Sequence, residues 1–421
     1  MRHENITSSS FGDFVAEAQK AERLVVQPRM GFGDLERMRH GLARTKEAEA
    51  LTVGTLTLDS YTRTGNHEAA RQALKDGTQL NGYPIVARPV SETRDLLAGI
   101  RDHGFPVQVR HGSSRPEDIF RTLIELGLEA TEGGPVSYCL PYSRTPLREA
   151  VDCWVRSTEL FAELGEEANP HLESFGGCML GQLCPPSMLI AISMLEGLFF
   201  RQHGIRSVSL SYAQQTSPAQ DEEAVLALRS LAGEFLGDIQ WHVVFYAYMG
   251  VYPRTSQGAS LLMEQAARTA VRSGAARIIV KTEAEAFRIP TVEENVAALE
   301  ATASAASRQR ALPKSEDDLS DSETYTEARA LVEAVLDLDS DVSRSLPEAF
   351  ERGLLDIPFC LHPDNRGLAR SYIDGDGRLR WLTTGNLPIR NGLTGLPRGG
   401  LTADTLLTML HHVEQDYDTV S

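Results

Sequence analysis

From about residue 23 to about residue 305 the chain alternates short apolar runs with amphipathic helical stretches. The strand-like runs are Leu24–Gln27, Leu51–Leu58, Pro84–Arg88, Pro106–Arg110, Ala130–Glu132, Ser174–Met179, Ser207–Ser211, Gln240–Tyr246 and Ala276–Lys281. Helical patterns lie between many of them, as in Ser91–His103, Pro116–Leu126, Pro186–His203 and Gln257–Ser273. Strand, helix, strand at this spacing implies an α/β fold with parallel strands joined by crossovers. About 280 residues of it suits a TIM (β/α)8 barrel, with an open doubly wound sheet as the alternative. Nine candidates stand for eight staves, so one of them is a loop or hairpin segment.

The expected division is an N-terminal arm over 1–22, the barrel over 23–305 and a C-terminal α+β extension over 306–421. Ser307–Asp321 is polar and acidic and reads as an exposed linker. A helix is predicted over Tyr325–Asp337. Asp374-Gly-Asp-Gly between two β-rich runs predicts a hairpin, and a last helix is predicted over Ala403–Glu414.

The net charge of −17 argues against a nucleic-acid binder and against a surface that seeks anionic lipid. The longest apolar runs fall short of the roughly 20 residues that span a bilayer. Met1–Gly12 has no apolar signal-peptide core. Cys139, Cys153, Cys178, Cys184 and Cys360 form no CxxC pair, which suits reduced thiols and a cytoplasmic protein.

Several familiar motifs fail. Gly31-Phe-Gly33-Asp-Leu-Glu36 starts like a dinucleotide loop, but Glu36 would repel a pyrophosphate. Asp337-Leu-Asp339-Ser-Asp341 imitates a calcium loop, yet Val342 stands where the sharp turn needs glycine. His411-His412 are adjacent on a helix and do not share a face, so no metal site is expected in this chain.

The informative pattern is at the carboxyl ends of the strands. Gln27-Pro-Arg29-Met-Gly31, Ser60-Tyr-Thr-Arg63-Thr-Gly65 and Gln108-Val-Arg110-His-Gly112 each place an arginine before turn residues. In a parallel barrel such positions converge on one mouth. Three guanidiniums there make a positive pocket in an acidic protein, suited to a small dianion whose carboxylates each accept a bidentate fork. Ordinary surface ion pairs are the alternative for each arginine alone. Glu132, in Thr131-Glu-Gly-Gly-Pro, could bind a substrate ammonium or move its proton, or else pair with one of the arginines. Tyr138 and Tyr142 could donate to a carboxylate or serve as packing. Lysine occurs five times against 36 arginines, so Lys281 at a strand end stands out. An anion contact, a Schiff base, or a snorkelling amine paired with Glu285 are its possible roles.

Taken together, these segments resemble the large (epsilon) subunit of glutamate mutase, or methylaspartate mutase, an adenosylcobalamin-dependent radical enzyme. The resemblance runs in order through Gln27-Pro-Arg29, Asp59-Ser-Tyr-Thr-Arg63, Asn81-Gly-Tyr-Pro84, Gln108-Val-Arg110-His-Gly112, Glu132-Gly-Gly to Tyr142, and Phe175-Gly176. It continues through Pro185-Pro-Ser-Met188, Gln220-Asp221, Val280-Lys-Thr with Glu285, Ile289-Pro-Thr291, Asp356-Ile-Pro-Phe359 and Gly385-Asn386.

The resemblance implies a barrel whose mouth faces cobalamin. Arg29, Arg63 and Arg110 look like the arginines that hold the two carboxylates of glutamate. Glu132 looks like the catalytic carboxylate that binds the substrate amine. Tyr138 and Tyr142 look like substrate contacts, Lys281 and Glu285 like the pair beside the adenosyl ribose, and Phe175 like part of the same cavity wall. The implied reaction interconverts L-glutamate and threo-3-methyl-L-aspartate through a glycyl radical and acrylate. The arginine-rich composition suggests an organism outside the usual glutamate-fermenting anaerobes, for which the resemblance leaves supply of 3-methylaspartate to a secondary metabolite as one role and fermentation as the other. The chain lacks an Asp-x-His-x-x-Gly motif. The resemblance therefore implies a separate small subunit that carries this motif, with its histidine on cobalt, and a homodimer of this chain within a heterotetramer. Tyr212–Thr216 and Tyr246-Ala-Tyr248 depart from the family's pattern. Those departures keep open the same radical chemistry on another amino dicarboxylate or a carrier-bound substrate. A non-catalytic binding or regulatory barrel is the remaining alternative.

Overall fold

Eight short parallel strands carry the architecture of this computed structural model, which describes residues 10–175, 183–312, 322–389 and 401–419. They are β1 (Val25–Gln27), β2 (Gly54–Thr57), β3 (Val107–Arg110), β4 (Ala130–Glu132), β5 (His171–Glu173), β6 (Ser207–Ala213), β7 (Gln240–Tyr246) and β8 (Arg277–Ile279). Their order, β1-β8-β7-β6-β5-β4-β3-β2, is that of a barrel. The ring closes between its two ends through a parallel bridge from Val26 to Thr52, where the Val26 N–H donates to the Leu51 carbonyl at 2.9 Å. This is the TIM-barrel α/β fold expected from the alternation.

The strands are buried on both faces because helices cover the outside and side chains fill the inside. Glu117–Leu126 illustrates the cover. Ile119, Phe120, Leu123 and Leu126 are buried at helical spacing, and Gly127, at φ +66°, ends the helix in the left-handed conformation that glycine accepts.

The interior of the barrel is polar. Gln27 Nε2 donates to Thr55 Oγ1 at 2.9 Å and to Gln108 Oε1 at 2.8 Å, and Gln108 Nε2 donates to Glu173 Oε2 at 3.0 Å. Arg277 and Glu173, both wholly buried, form an ion pair among these groups. Gln27 Oε1 and Ser209 Oγ accept from Arg277, and Gln108 and Tyr246 donate to Glu173, which offsets the cost of burying the pair, while Arg277 Nε has no partner among the described residues. The helix Phe11–Lys20 closes the floor, with the Phe11 ring 5.1 Å from the Arg277 guanidinium and 5.1 Å from the His171 ring.

Two strand expectations need correction. Pro84–Arg88 is the surplus candidate. Tyr83 makes a single bridge to Leu58, and the chain then turns, with the Ala87 N–H on the Pro84 carbonyl. Proline has no N–H to continue a ladder there. The fifth strand is His171–Glu173 rather than Ser174–Met179. Ser174 and Phe175 follow it, and 176–179 lie outside the described residues. An apolar-run criterion overlooks His171 and Glu173 because they point into this polar interior.

Beyond the barrel, helices Glu323–Leu336 and Val342–Arg352 pack against Pro186–Gln202. Asp341 caps the second of them, accepting the Ser343 N–H at 2.9 Å. The expected hairpin pairs β9 (Arg370–Ile373) with β10 (Leu379–Thr383), and Asp374 Oδ1 accepts the Asp376 and Arg378 N–H groups in its turn. The hairpin sits beside the carboxyl end of β6, where Thr216 Oγ1 donates to the Gly377 carbonyl at 2.6 Å. Helix Val292–Ser307 ends where the linker was expected, and 313–321 of that linker lie outside the described residues. The expected last helix is two, Ala403–Leu410 and His412–Thr419, which break at His411. Among the described residues no helix is long and apolar enough to cross a membrane.

Candidate active site

A cavity of 740 Å³ opens at the carboxyl ends of the strands. Eight residues singled out in the sequence line it: Arg29, Arg63, Arg110, Glu132, Tyr138, Tyr142, Phe175 and Glu285. They come from strand ends and the segments that follow them, far apart in the chain, and parallel strand direction delivers them to one end.

Each arginine is placed by its local sequence. Arg29 follows β1, and Gly31 then runs against the β2 backbone, where a Cβ would stand 2.2 Å from the Thr57 carbonyl oxygen. Arg63 ends a helical turn, Ser60–Arg63, capped by Asp59, which accepts the Tyr61 and Thr62 N–H groups at 2.9 and 3.1 Å. Arg63 Nε donates to the Leu58 carbonyl at 2.9 Å. Arg110 ends β3. Gly112, at φ +71°, turns the chain away, and a Cβ there would lie 3.4 Å from Arg63 Cδ.

Glu132 ends β4 and is buried. Its Oε1 accepts the His111 backbone N–H at 3.0 Å and the Tyr138 hydroxyl, and its Oε2 lies 3.5 Å from Arg110 Nη2. Burial raises the carboxyl pKa above its usual range, opposed by Arg110. Burial lowers the Arg63 pKa, and the like charges of Arg29 and Arg110 add to this, against Tyr138 and Glu132. The His111 imidazole is pushed down to about 3 by burial and by Arg63, so it is neutral. Its Nδ1 accepts the Ser113 N–H at 3.0 Å, which leaves the proton on Nε2.

Phe175 packs against Tyr138 at 4.9 Å between ring centroids, and the Arg110 guanidinium lies 5.6 Å from the Phe175 ring. Tyr142 stands at the rim, 54% exposed. Arg29 Nη1 pairs with Glu285 Oε2 at 2.8 Å, while Glu285 Oε1 accepts the Thr282 N–H at 3.1 Å. Lys281 is the exception. It borders a neighbouring cavity of 440 Å³ and holds its Nζ 4.3 Å from the Tyr252 ring centroid, so Glu285's ion pair is with Arg29. At the rim Arg288 is engaged with Glu294. The remaining charges of the cavity are three guanidiniums against Glu132 and Glu285. That formal excess of one positive charge suits a small anion.

Two residues beneath the cavity were not anticipated as part of the site. The Tyr246 hydroxyl donates to Glu173 Oε1 and lies 3.3 Å from Arg110 Nη2, which links Arg110 to the buried Arg277–Glu173 pair. Tyr246 ends the predicted strand Gln240–Tyr246 and departs from the family's pattern, and neither feature marks it as a site residue. Glu173 lies in His-Leu-Glu, where its polarity hid the strand.

Residues 7–404 match the family described as methylaspartate mutase E chain (MutE). A protein of Halobacterium salinarum named glutamate mutase epsilon subunit is 32% identical over 407 residues, covering 93% of this chain and 84% of that protein. One of the same name from Treponema denticola is 30% identical over 409 residues, with 93% and 83% covered. Another, from Escherichia coli O157:H7, is 30% identical over 398 residues, with 90% and 81% covered.

Proposed function

Because the chain belongs to the methylaspartate mutase E chain family, and is thus a mutase subunit of isomerase type, we propose that it binds and turns over L-glutamate. The product is threo-3-methyl-L-aspartate, formed in an adenosylcobalamin-dependent radical rearrangement. The observation that carries this reading is the convergence of Arg29, Arg63 and Arg110 around Glu132 and Tyr138 in one cavity. The three arginines grip the two carboxylates of the substrate, and bidentate forks fix its orientation. Glu132 takes the substrate ammonium and holds or returns its proton, a task suited to a carboxyl whose pKa burial has raised. Tyr142 donates to a substrate carboxylate oxygen, and Tyr138, whose hydroxyl donates to Glu132, contacts the substrate with its ring. Phe175 walls the cavity and helps exclude water, which would otherwise intercept reactive species.

The rim fits a large flat cofactor. Tyr142, Phe287 and Ile289 line the mouth and are 54%, 68% and 52% exposed. Lys281 and Glu285 would hold the adenosyl ribose beside it. Adenosylcobalamin, when bound, supplies the carbon radical that abstracts and returns the migrating hydrogen.

The relatives' name, epsilon subunit, supports a partner chain. In this reading the partner is a small cobalamin-binding subunit whose Asp-x-His-x-x-Gly histidine ligates cobalt. It docks at the barrel mouth, near the 306–421 extension, on a homodimer of this chain. The four described cysteines, all free thiols, suit a cytoplasmic enzyme.

The test is reconstitution of this chain with the small subunit, adenosylcobalamin and L-glutamate. Production of 3-methylaspartate that requires both chains is the expected result. A complex that holds cofactor but leaves glutamate unchanged overturns glutamate as the substrate. A panel of amino dicarboxylates in the same assay then identifies the alternative.

A further inference from the structure

Helix Pro186–Gln202 is almost wholly apolar and buried, and Glu196 is the only charged side chain among its buried residues. Its carboxylate is inaccessible to solvent. Oε1 accepts the Val136 N–H at 3.1 Å and the Ser137 N–H at 2.9 Å. Oε2 accepts the Ser137 hydroxyl at 2.9 Å and the Phe175 N–H at 3.3 Å. Three of the four partners are backbone N–H groups that can only donate, two on Oε1 and one on Oε2, so both oxygens are needed as acceptors; the Ser137 hydroxyl can turn either way. Burial pushes this carboxyl up to about 7, with the donors opposing. A carboxylate in such surroundings costs free energy that leucine would not. Packing of the helix therefore does not account for it.

What accounts for it is the pair of loops it joins. Val136 and Ser137 belong to the loop after β4, immediately before Tyr138, and Phe175 belongs to the loop after β5. The chain is shaped around the carboxylate. A Cβ on Gly134 would stand 2.0 Å from Glu196 Cδ, so only glycine fits there. The result is the 4.9 Å contact between the Tyr138 and Phe175 rings at the cavity wall, with Tyr138 bonded to Glu132.

We infer that Glu196 is a positioning residue for substrate binding, which ties the loops after β4 and β5 so that Tyr138 and Phe175 face the substrate together. This rests on the reading of the cavity as an amino dicarboxylate site. The test uses the full chain with E196Q, S137A and a control, M194A, which removes buried volume from the same helix two residues, or about 200° round the helix, from Glu196. Hydrogen exchange is followed in segment 133–142 and at Phe175, and L-glutamate binding is followed by calorimetry.

The amide of E196Q cannot accept on both sides, so it must turn an N–H group towards the N–H of Phe175 or towards those of Val136 and Ser137. Exchange in those segments should rise about tenfold and glutamate affinity should fall about tenfold, in a chain that still melts cooperatively. M194A should lower the melting temperature with neither effect. A folded E196Q with wild-type exchange, or an M194A that loses affinity equally, overturns the proposal. If E196Q does not fold, S137A decides. It removes one bond only, and should weaken glutamate binding about threefold; unchanged binding overturns the proposal. A wild-type chain that binds no glutamate overturns the reading of the cavity, and the exchange comparison then decides the role of Glu196 by itself.

Discussion

Arg29 and Glu285, 256 residues apart in sequence, meet at 2.8 Å across the mouth of the cavity. In the proposed reaction Arg29 grips a substrate carboxylate and Glu285 holds the cofactor ribose. A substrate carboxylate that bonds Arg29 Nη1 competes with Glu285 for it, and a Glu285 so displaced becomes available to the ribose. Removing this internal competitor should tighten the hold on substrate in the chain alone. Glu285→Gln is expected to raise L-glutamate affinity roughly two- to fivefold, the range for a partly exposed pair, and to lower turnover in the assembled enzyme. Calorimetry on the isolated chain reads the first effect; weaker binding there would show that Glu285 helps to orient Arg29.

Arg63→Lys keeps a positive charge and removes the planar fork. Arg63 touches Leu58 only through a single backbone bond, so the fold should survive, with a melting temperature within a few degrees of the parent. The value of kcat/KM should fall about 100-fold or more, as a loss of transition-state positioning requires. Loss of the folded state instead would make Arg63 a structural residue.

Glu132 is raised above the usual carboxyl range by burial, and the Tyr138 hydroxyl lowers it by donating to the ionised form. The ionised form accepts the substrate ammonium, so activity should fall as pH drops through this raised value. The acid limb of kcat/KM should therefore lie above pH 4.5, the ordinary value for glutamate. Tyr138→Phe removes the stabilising donor and should move that limb to still higher pH, in addition to lowering the plateau. A pH–rate profile that keeps its acid limb in place in the variant would rule out Glu132 as the group responsible.

Glu327 ties the extension to the barrel. Its Oε2 accepts the Ser187 hydroxyl at 2.7 Å and the Trp381 indole N–H at 3.1 Å. Burial raises its carboxyl from 4.5 to about 7. The folded state then holds the proton more tightly than the unfolded chain. The stabilisation this brings is complete below about pH 4.5 and is lost as pH rises through about 7. At about 1.4 kcal/mol per pKa unit it is worth up to about 3 kcal/mol. Glu327→Gln should flatten the decline in denaturant stability over that window. An equally steep decline in the variant would assign the effect to other buried acids.

Much of this was legible in the sequence because it rests on local pattern. Alternation of strand and helix specifies parallel strands. Arginines placed just past strand ends must then share a mouth, and Glu132-Gly-Gly marked a carboxylate on a loop that crowds its surroundings. The fifth strand was misplaced for an equally physical reason. His171 and Glu173 face a barrel interior that is polar because Arg277 occupies it, and no neighbouring residue in the sequence announces that arginine.

By itself, then, the sequence determined the barrel and the set of groups at its mouth, since periodicity and strand direction are local properties that every strand–helix repeat enforces. Only the tertiary structure decided the partnerships. Glu285 turned to Arg29, Lys281 to the Tyr252 ring, Tyr246 joined Arg110 to Glu173, and Glu196 drew the loops after β4 and β5 together. Each of these contacts depends on where residues distant in sequence end in space. Which donor meets which acceptor follows from distance and desolvation, and neither exists until the ring of strands has closed.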